Sequence, residues 1–191
     1  MIVGDAEVGK TTMRKWFVPD SMFEYFYSTR TTKKDDRTVG LDHYIWEEKA
    51  NSLSFRVSIW DSAGQDRYFG SHQLFLSSSC LFVILFDLSK EETQLRLTSW
   101  LFSIQSRVAD AHVIVIGTHL DKLENKEEAQ RILEELEFNH NSIRSRNPSF
   151  PVVEKYHAVD TRRFGKSEEY KELKKWIRGE INSTSIRNKY M

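Results

Sequence analysis

Apolar runs and amphipathic stretches alternate along these 191 residues. Met1-Ile2-Val3 forms a strand stub that ends at Gly4. LDHYIW (41–46) and LSFRVSIW (53–60) carry strand-like patterning on either side of the polar turn KANS, which predicts a hairpin. CLFVILF (80–86) and HVIVIG (112–117) are short, nearly unbroken apolar runs, the pattern of strands buried on both faces of a parallel sheet. PVVEKYHAV (151–159) is a weaker sixth strand. Helical faces lie between these runs. KTTMRKWF follows the first strand. Leu97, Leu101, Ile104 and Val108 share one face, as do Ala129, Ile132, Leu133 and Leu136, and then Leu173, Trp176, Ile177 and Ile181. Strands alternating with helices predict an α/β fold with a sheet of about six strands. Right-handed crossovers would put a ligand at the carboxyl ends of those strands.

Residues 1–182 read as one domain and the polar segment 183–191 as a tail or linker. A central strand usually runs to five or six residues, and only three precede Gly4. The expectation is a chain that begins inside its domain, as a piece of a longer protein. Lys and Arg total 28, as do Asp and Glu, so the zero net charge gives no electrostatic reason to expect nucleic-acid binding. Cys80 cannot form an internal disulfide, which fits a reducing, cytoplasmic setting. It lies in or beside an apolar run and reads as a structural thiol. No run approaches the roughly 18 apolar residues of a membrane span, and neither end carries a lipidation motif, so no direct membrane anchor is expected.

Three segments carry candidate chemistry. GDAEVGKT matches G-x-x-x-x-G-K-[ST] at Gly4, Gly9, Lys10 and Thr11, after a strand and before a helix. Successive backbone N–H groups from Asp5, Ala6, Glu7, Val8 and Gly9 through Thr12 would cradle a polyphosphate. The helix N-terminus adds a favourable dipole. Lys10 would reach the outer phosphates, and the Thr11 hydroxyl would ligate Mg²⁺. The carboxylates of Asp5 and Glu7 are expected to face solvent. In WDSAGQDRY, Asp61 ends a strand where a metal-organising carboxylate is needed. Gly64 can bring its N–H to a terminal phosphate, and Gln65 can orient a water for attack. In VIVIGTHLDK a strand ends before Thr118-His119-Leu120-Asp121. The Asp121 carboxylate can accept two hydrogen bonds from the ring N–H and exocyclic amine of guanine, a donor pair that adenine lacks. The carbon stem and ring of His119 could pack on the base.

GDAEVGKT, TVG (38–40), DSAGQ (61–65) and THLD (118–121), in this order, resemble the Ras-like small GTPases. THLD, TVGLD, WLFSIQSR and LFDLSK resemble the Roc domain of the Roco family, which includes the leucine-rich repeat kinases. The likeness covers nearly the whole chain. It implies a Ras-like P-loop NTPase whose mostly parallel sheet has one antiparallel edge strand and about five flanking helices. It implies a GDP/GTP-binding switch with Mg²⁺ and slow hydrolysis of GTP. Thr38 matches the switch I threonine that ligates Mg²⁺ in the triphosphate state, with Thr31 and Thr32 as competitors. Roc domains precede a COR domain and often a kinase in proteins that dimerise, so the implied partners are the rest of the same polypeptide and a second copy.

The sequence also departs from the family pattern. The usual Asn-Lys-x-Asp is Thr-His-Leu-Asp, which retains the base-selecting Asp121. The usual Ser-Ala-Lys loop is replaced by HAVDT, leaving Val159, Asp160 and Thr161 as loose candidates for base contacts. Ala6 could obstruct an arginine supplied in trans. Arg30, Arg37 and Arg67 could act in cis or be solvated surface residues. A second reading remains open, in which the bound nucleotide orders a dimerisation scaffold with negligible hydrolysis and the aromatic stretch MFEYFY (22–27) serves an interface.

Overall fold

The computed structural model describes residues 1–18, 41–50, 53–62, 80–163 and 168–182. Six strands form one sheet: β1 (Ile2–Gly4), β2 (Leu41–Ala50), β3 (Leu53–Ser62), β4 (Phe82–Asp87), β5 (His112–Thr118) and β6 (Val152–Ala158). Their spatial order is β2-β3-β1-β4-β5-β6. β2 is an edge strand and runs antiparallel to β3, while every other neighbouring pair is parallel. Four α-helices accompany the sheet among the described residues: α1 (Lys10–Phe17), α2 (Thr93–Gln105), α3 (Lys126–Arg146) and α4 (Glu168–Asn182).

The unbroken apolar runs of β4 and β5 follow from burial on both sides. Phe82, Ile84, Phe86, Val113 and Val115 join Leu97, Leu101, Ile104, Leu133 and Leu136 in one core. The alternate residues Val83, Leu85, Ile114 and Ile116 join Met13, Trp16, Phe17, Leu173 and Ile177 in a second core on the opposite face. Successive side chains of a strand point to opposite faces, so helices α2 and α3 cover one side and α1 and α4 the other. Truncating a fully buried Phe82 in such a layer would cost roughly 3–5 kcal/mol.

Two details differ from the sequence expectation. The hairpin strands extend further, so Lys49 and Ala50 pair with Ser54 and Leu53 instead of forming the turn. Val108 is buried but lies beyond the end of α2, where its N–H still reaches the Ile104 carbonyl at 2.8 Å. Cys80 sits half-buried just before β4. No helix among the described residues is long and apolar enough to cross a membrane.

β1 lies at the centre of the sheet, and the chain winds away from it in both directions. The segments after β1, β3, β4, β5 and β6 therefore emerge along one edge. Gly4 (the last residue of β1), Asp61, Asp87, Thr118 and Asp160 all fall there. In a parallel sheet this is the edge where a ligand binds.

Candidate functional site

The loop between β1 and α1 requires glycine at two points. A Cβ at Gly4, where φ is +140°, would lie 2.2 Å from the Leu85 carbonyl oxygen. Gly9 caps α1 in the left-handed region at φ 90°. Of the three non-glycine residues with positive φ among those described, two belong to this edge: Glu7 at 65° and His119 at 58°. Such conformations cluster at functional loops. Helix α1 begins without a side-chain cap and without an acidic residue in its first turn. Helix α3, in contrast, begins with Asn125 accepting from the Glu128 N–H at 2.8 Å and has Glu127 and Glu128 in its first turn. The α1 N-terminus keeps the character of an anion site.

Lys10 is only 6% exposed. Its ammonium donates to the carbonyl oxygens of Gly4 at 3.0 Å and Asp5 at 2.6 Å. Burial pulls its pKa down to about 8, against the opposing fields of Asp61 and Asp5. Asp61 is fully buried at the end of β3. Burial raises its pKa, while the Thr11 hydroxyl, Lys10 and Arg14 favour its charged form. Among the described residues, neither carboxylate oxygen has a hydrogen-bond partner of regular geometry. A buried carboxylate with both oxygens unmet, beside a threonine hydroxyl, fits the hard-cation chemistry of Mg²⁺.

The expectation for the two loop carboxylates holds for one of them. Glu7 is exposed, whereas Asp5 is turned onto α2. The Trp100 indole N–H donates to Asp5 Oδ1 at 3.0 Å, and Arg96 Nε lies 3.4 Å from Oδ2. Asp5 thus ties the loop to a helix more than ninety residues later in the chain. Ala6 is exposed, Val8 is buried, and Thr11 and Thr12 are half-buried.

The second half of the edge is built from β4, β5 and β6. Thr118 is buried, and its hydroxyl donates to the Phe86 carbonyl at 2.9 Å. His119 Nδ1 lies 3.1 Å from the Thr118 oxygen and 3.3 Å from Asp87 Oδ2. Because the Thr118 proton is already given to Phe86, we assign the ring proton to Nδ1, facing Asp87. Burial lowers the His119 pKa, with the Asp87 charge working against it. Burial would also raise the Asp87 pKa, but two hydrogen bonds from Ser89, with His119 and Lys122, outweigh it and hold the carboxyl below its usual range.

Asp121 sits in the short 3-10 turn Leu120–Lys122. Its side chain is 7% exposed, and Arg162 Nε meets Oδ2 at 2.9 Å. Its other oxygen, Oδ1, is buried and has no partner among the described residues. Arg162 comes from the loop after β6. There Asp160 Oδ1 accepts from the Arg162 N–H at 2.9 Å, and the buried Val159 donates its N–H to the Gly117 carbonyl at 2.8 Å. Thr161 packs over the phosphate loop, since a Cβ on Gly9 would meet its methyl at 3.3 Å.

Lys10, Thr11, Asp61, Thr118, His119, Asp121 and Asp160 therefore lie along one edge of the sheet. Thr38, Gly64, Gln65, Arg30, Arg37, Arg67 and the stretch 22–27 lie outside the described residues. Sequence reasoning missed Trp100, Arg96, Asp87 and Arg162. Asp87 could have been found as the acidic end of an apolar strand. The others had no local signal.

The pattern of the family described as "Ras of Complex, Roc, domain of DAPkinase" matches residues 1–121. The probable serine/threonine-protein kinase roco6 of Dictyostelium discoideum is 49% identical over 65 residues, covering 34% of this chain and 3% of that protein. The Ras-related protein Rab-12 of Homo sapiens is 30% identical over 122 residues, covering 63% of this chain and 46% of that one. The structure of Methanosarcina barkeri Roco2 RocCORdC bound to GDP superposes with a TM-score of 0.59 at 22% identity, covering 92% of this chain and 47% of that one. This chain spans less than half the length of each of these three proteins. With its motifs, sheet order and family match in agreement, the chain belongs to the Roc family, the Ras-like GTPase domains of Roco proteins.

Proposed function

We propose that this Roc domain is a guanine-nucleotide switch that binds GDP and GTP with Mg²⁺ and hydrolyses GTP slowly. The observation that supports this reading is a pair of buried carboxylates at opposite ends of one sheet edge, Asp61 and Asp121, each with an oxygen unmet among the described residues. One suits a metal and the other suits a base with two donors.

In this reading the backbone from Asp5 to Gly9 and the first turn of α1, Lys10 to Thr12, hold the phosphates. Lys10 is already aimed by the Gly4 and Asp5 carbonyls and keeps its charge when a phosphate joins them. Asp61 and Thr11, with Thr38, would hold Mg²⁺, which when bound neutralises phosphate charge. Gly64 would approach the terminal phosphate, and Gln65 would orient the attacking water. Thr118 fixes the turn through Phe86, His119 is oriented by Asp87, Asp121 reads the guanine edge, and the Asp160 loop closes over the base.

Residues 1–182 would be this switch and 183–191 the linker to the rest of the polypeptide. COR and kinase segments of the same chain and a second copy are the proposed partners, in the cytoplasm. The test is equilibrium binding of fluorescent GDP and ADP, followed by single-turnover GTP hydrolysis. GDP preferred over ADP by at least a hundredfold, with phosphate release over minutes to hours, is the expected result. Equal binding of the two would sink the reading.

A further inference from the structure

We infer that Arg162 is an internal competitor of guanine for Asp121, and so sets the affinity and selectivity of the nucleotide site. The inference rests on the guanine reading of Asp121 above. A carboxylate only 7% exposed needs a partner in the free protein, because an unpaired buried charge is costly. Arg162 supplies it, with Nε at 2.9 Å from Oδ2. A guanidinium is planar and carries adjacent N–H donors, the same two-donor geometry that the guanine edge offers. Both therefore address the same acceptor.

Access sets them against each other. With Arg162 in place the Asp121 side chain is only 7% exposed, so a guanine edge reaches the carboxylate only after the guanidinium moves aside. Oδ1 is itself buried and has no partner among the described residues, so the carboxylate is half-satisfied and keeps capacity for a second donor once Arg162 has moved. The arginine has somewhere to go. Its side chain is 57% exposed, and its Nε is 3.6 Å from Asp160 Oδ1. The Asp160 Oδ1 contact to the Arg162 backbone N–H, at 2.9 Å, holds the loop while the side chain swings. The affinity for guanine nucleotide is then the intrinsic affinity reduced by the fraction of time that Arg162 covers Asp121. A base whose edge offers only one donor recovers less on displacing Arg162, so the competition also sharpens selectivity.

The test compares the parent protein with Arg162→Ala, with Asp121→Asn, and with the double variant. The readouts are equilibrium binding of fluorescent GDP and xanthosine diphosphate and the rise in Tm that each nucleotide produces. Arg162→Ala is expected to bind GDP roughly threefold or more tightly. Its nucleotide-free Tm should fall while the GDP-induced rise in Tm grows. In the Asp121→Asn background no carboxylate is left to contest, so removing Arg162 should leave xanthosine diphosphate binding unchanged. Unchanged or weaker GDP binding in Arg162→Ala would overturn the inference, the weaker case meaning that the arginine stays against the bound base. The same experiment keeps the two readings apart. A parent that binds GDP no better than ADP overturns the guanine reading, whereas guanine selectivity without a gain in Arg162→Ala overturns only the competition.

Discussion

The two ends of the candidate site solve the same problem in different ways. At the phosphate end, Lys10 and Asp61 are buried with few side-chain partners. Lys10 leans on two backbone carbonyls, and Asp61 has no regular hydrogen bond among the described residues. At the base end, each buried charge has a charged or hydrogen-bonding neighbour. Asp87 has Ser89, His119 and Lys122, and Asp121 has Arg162. The first end is built by local chain geometry and leaves its buried charges with little side-chain compensation. The second is assembled from three separate strand ends and neutralises itself. Unfavourable buried charge is thus concentrated at the first end, whereas the Asp121 carboxylate at the second is covered by Arg162.

The sharpest way to break this contrast is at Lys10. Lys10→Ala should weaken GDP binding roughly a hundredfold, the scale of losing charge-assisted bonds to phosphate. The lysine also predicts a pH dependence. Its folded pKa of about 8 lies below the ordinary 10.5, so the free protein loses the ammonium as pH passes about 8, while bound phosphate favours it. GDP affinity should therefore be flat below pH 7 and fall above pH 8, and Lys10→Ala should lose that slope. A fluorescence titration across this range checks both.

At the other end, Asp121→Asn should cut GDP affinity roughly ten- to a hundredfold and shift preference toward xanthine nucleotides, the scale of one bidentate base contact. Competition binding with the two diphosphates measures it. Equal loss for both bases would mean that Asp121 supports the turn and does not read the base.

Asp61→Asn should act in opposite directions on ligand and fold. Mg²⁺ should no longer tighten nucleotide binding. Yet the metal-free protein should become more stable, because burial has raised the Asp61 pKa above 3.8. A raised carboxylate pKa contributes stability that is present below the unfolded value and lost as pH rises through the folded one. Melting curves in chelator should show Asp61→Asn gaining Tm over the parent near neutral pH and losing that advantage in acid.

The smallest effect is expected at the loop carboxylates. Asp5→Ala removes the Trp100 bond and should cost about 1 kcal/mol of stability, with a few-fold loss of GDP affinity from a looser loop. Glu7→Gln should change either by less than twofold. If Asp5→Ala tightened binding, its negative charge would outweigh its anchoring.

The strand and helix faces were legible because burial on one or two faces writes a period into the chain. Phe82, Ile84 and Phe86 against Val83 and Leu85 are the clearest case. The phosphate loop was legible for a related reason: its glycines, lysine and threonine lie within the eight consecutive residues GDAEVGKT, so spacing alone specifies their geometry. Asp61 and Asp121 were legible as strand-end carboxylates.

What the sequence could not contain is which distant groups meet them. Asp5 with its two neighbouring carboxyl and alanine positions looks like a solvent-facing variable residue until α2 brings Trp100 and Arg96 to it. Arg162 looks like one of several surface arginines until β6 sets its loop beside the turn of Asp121. Periodicity and motif spacing are local properties, so the sequence by itself determined the sheet, its buried faces and the phosphate loop. Ion pairs between residues tens of positions apart depend on strand order and register, and only the tertiary structure decided which charges would be left open for a ligand and which would be covered.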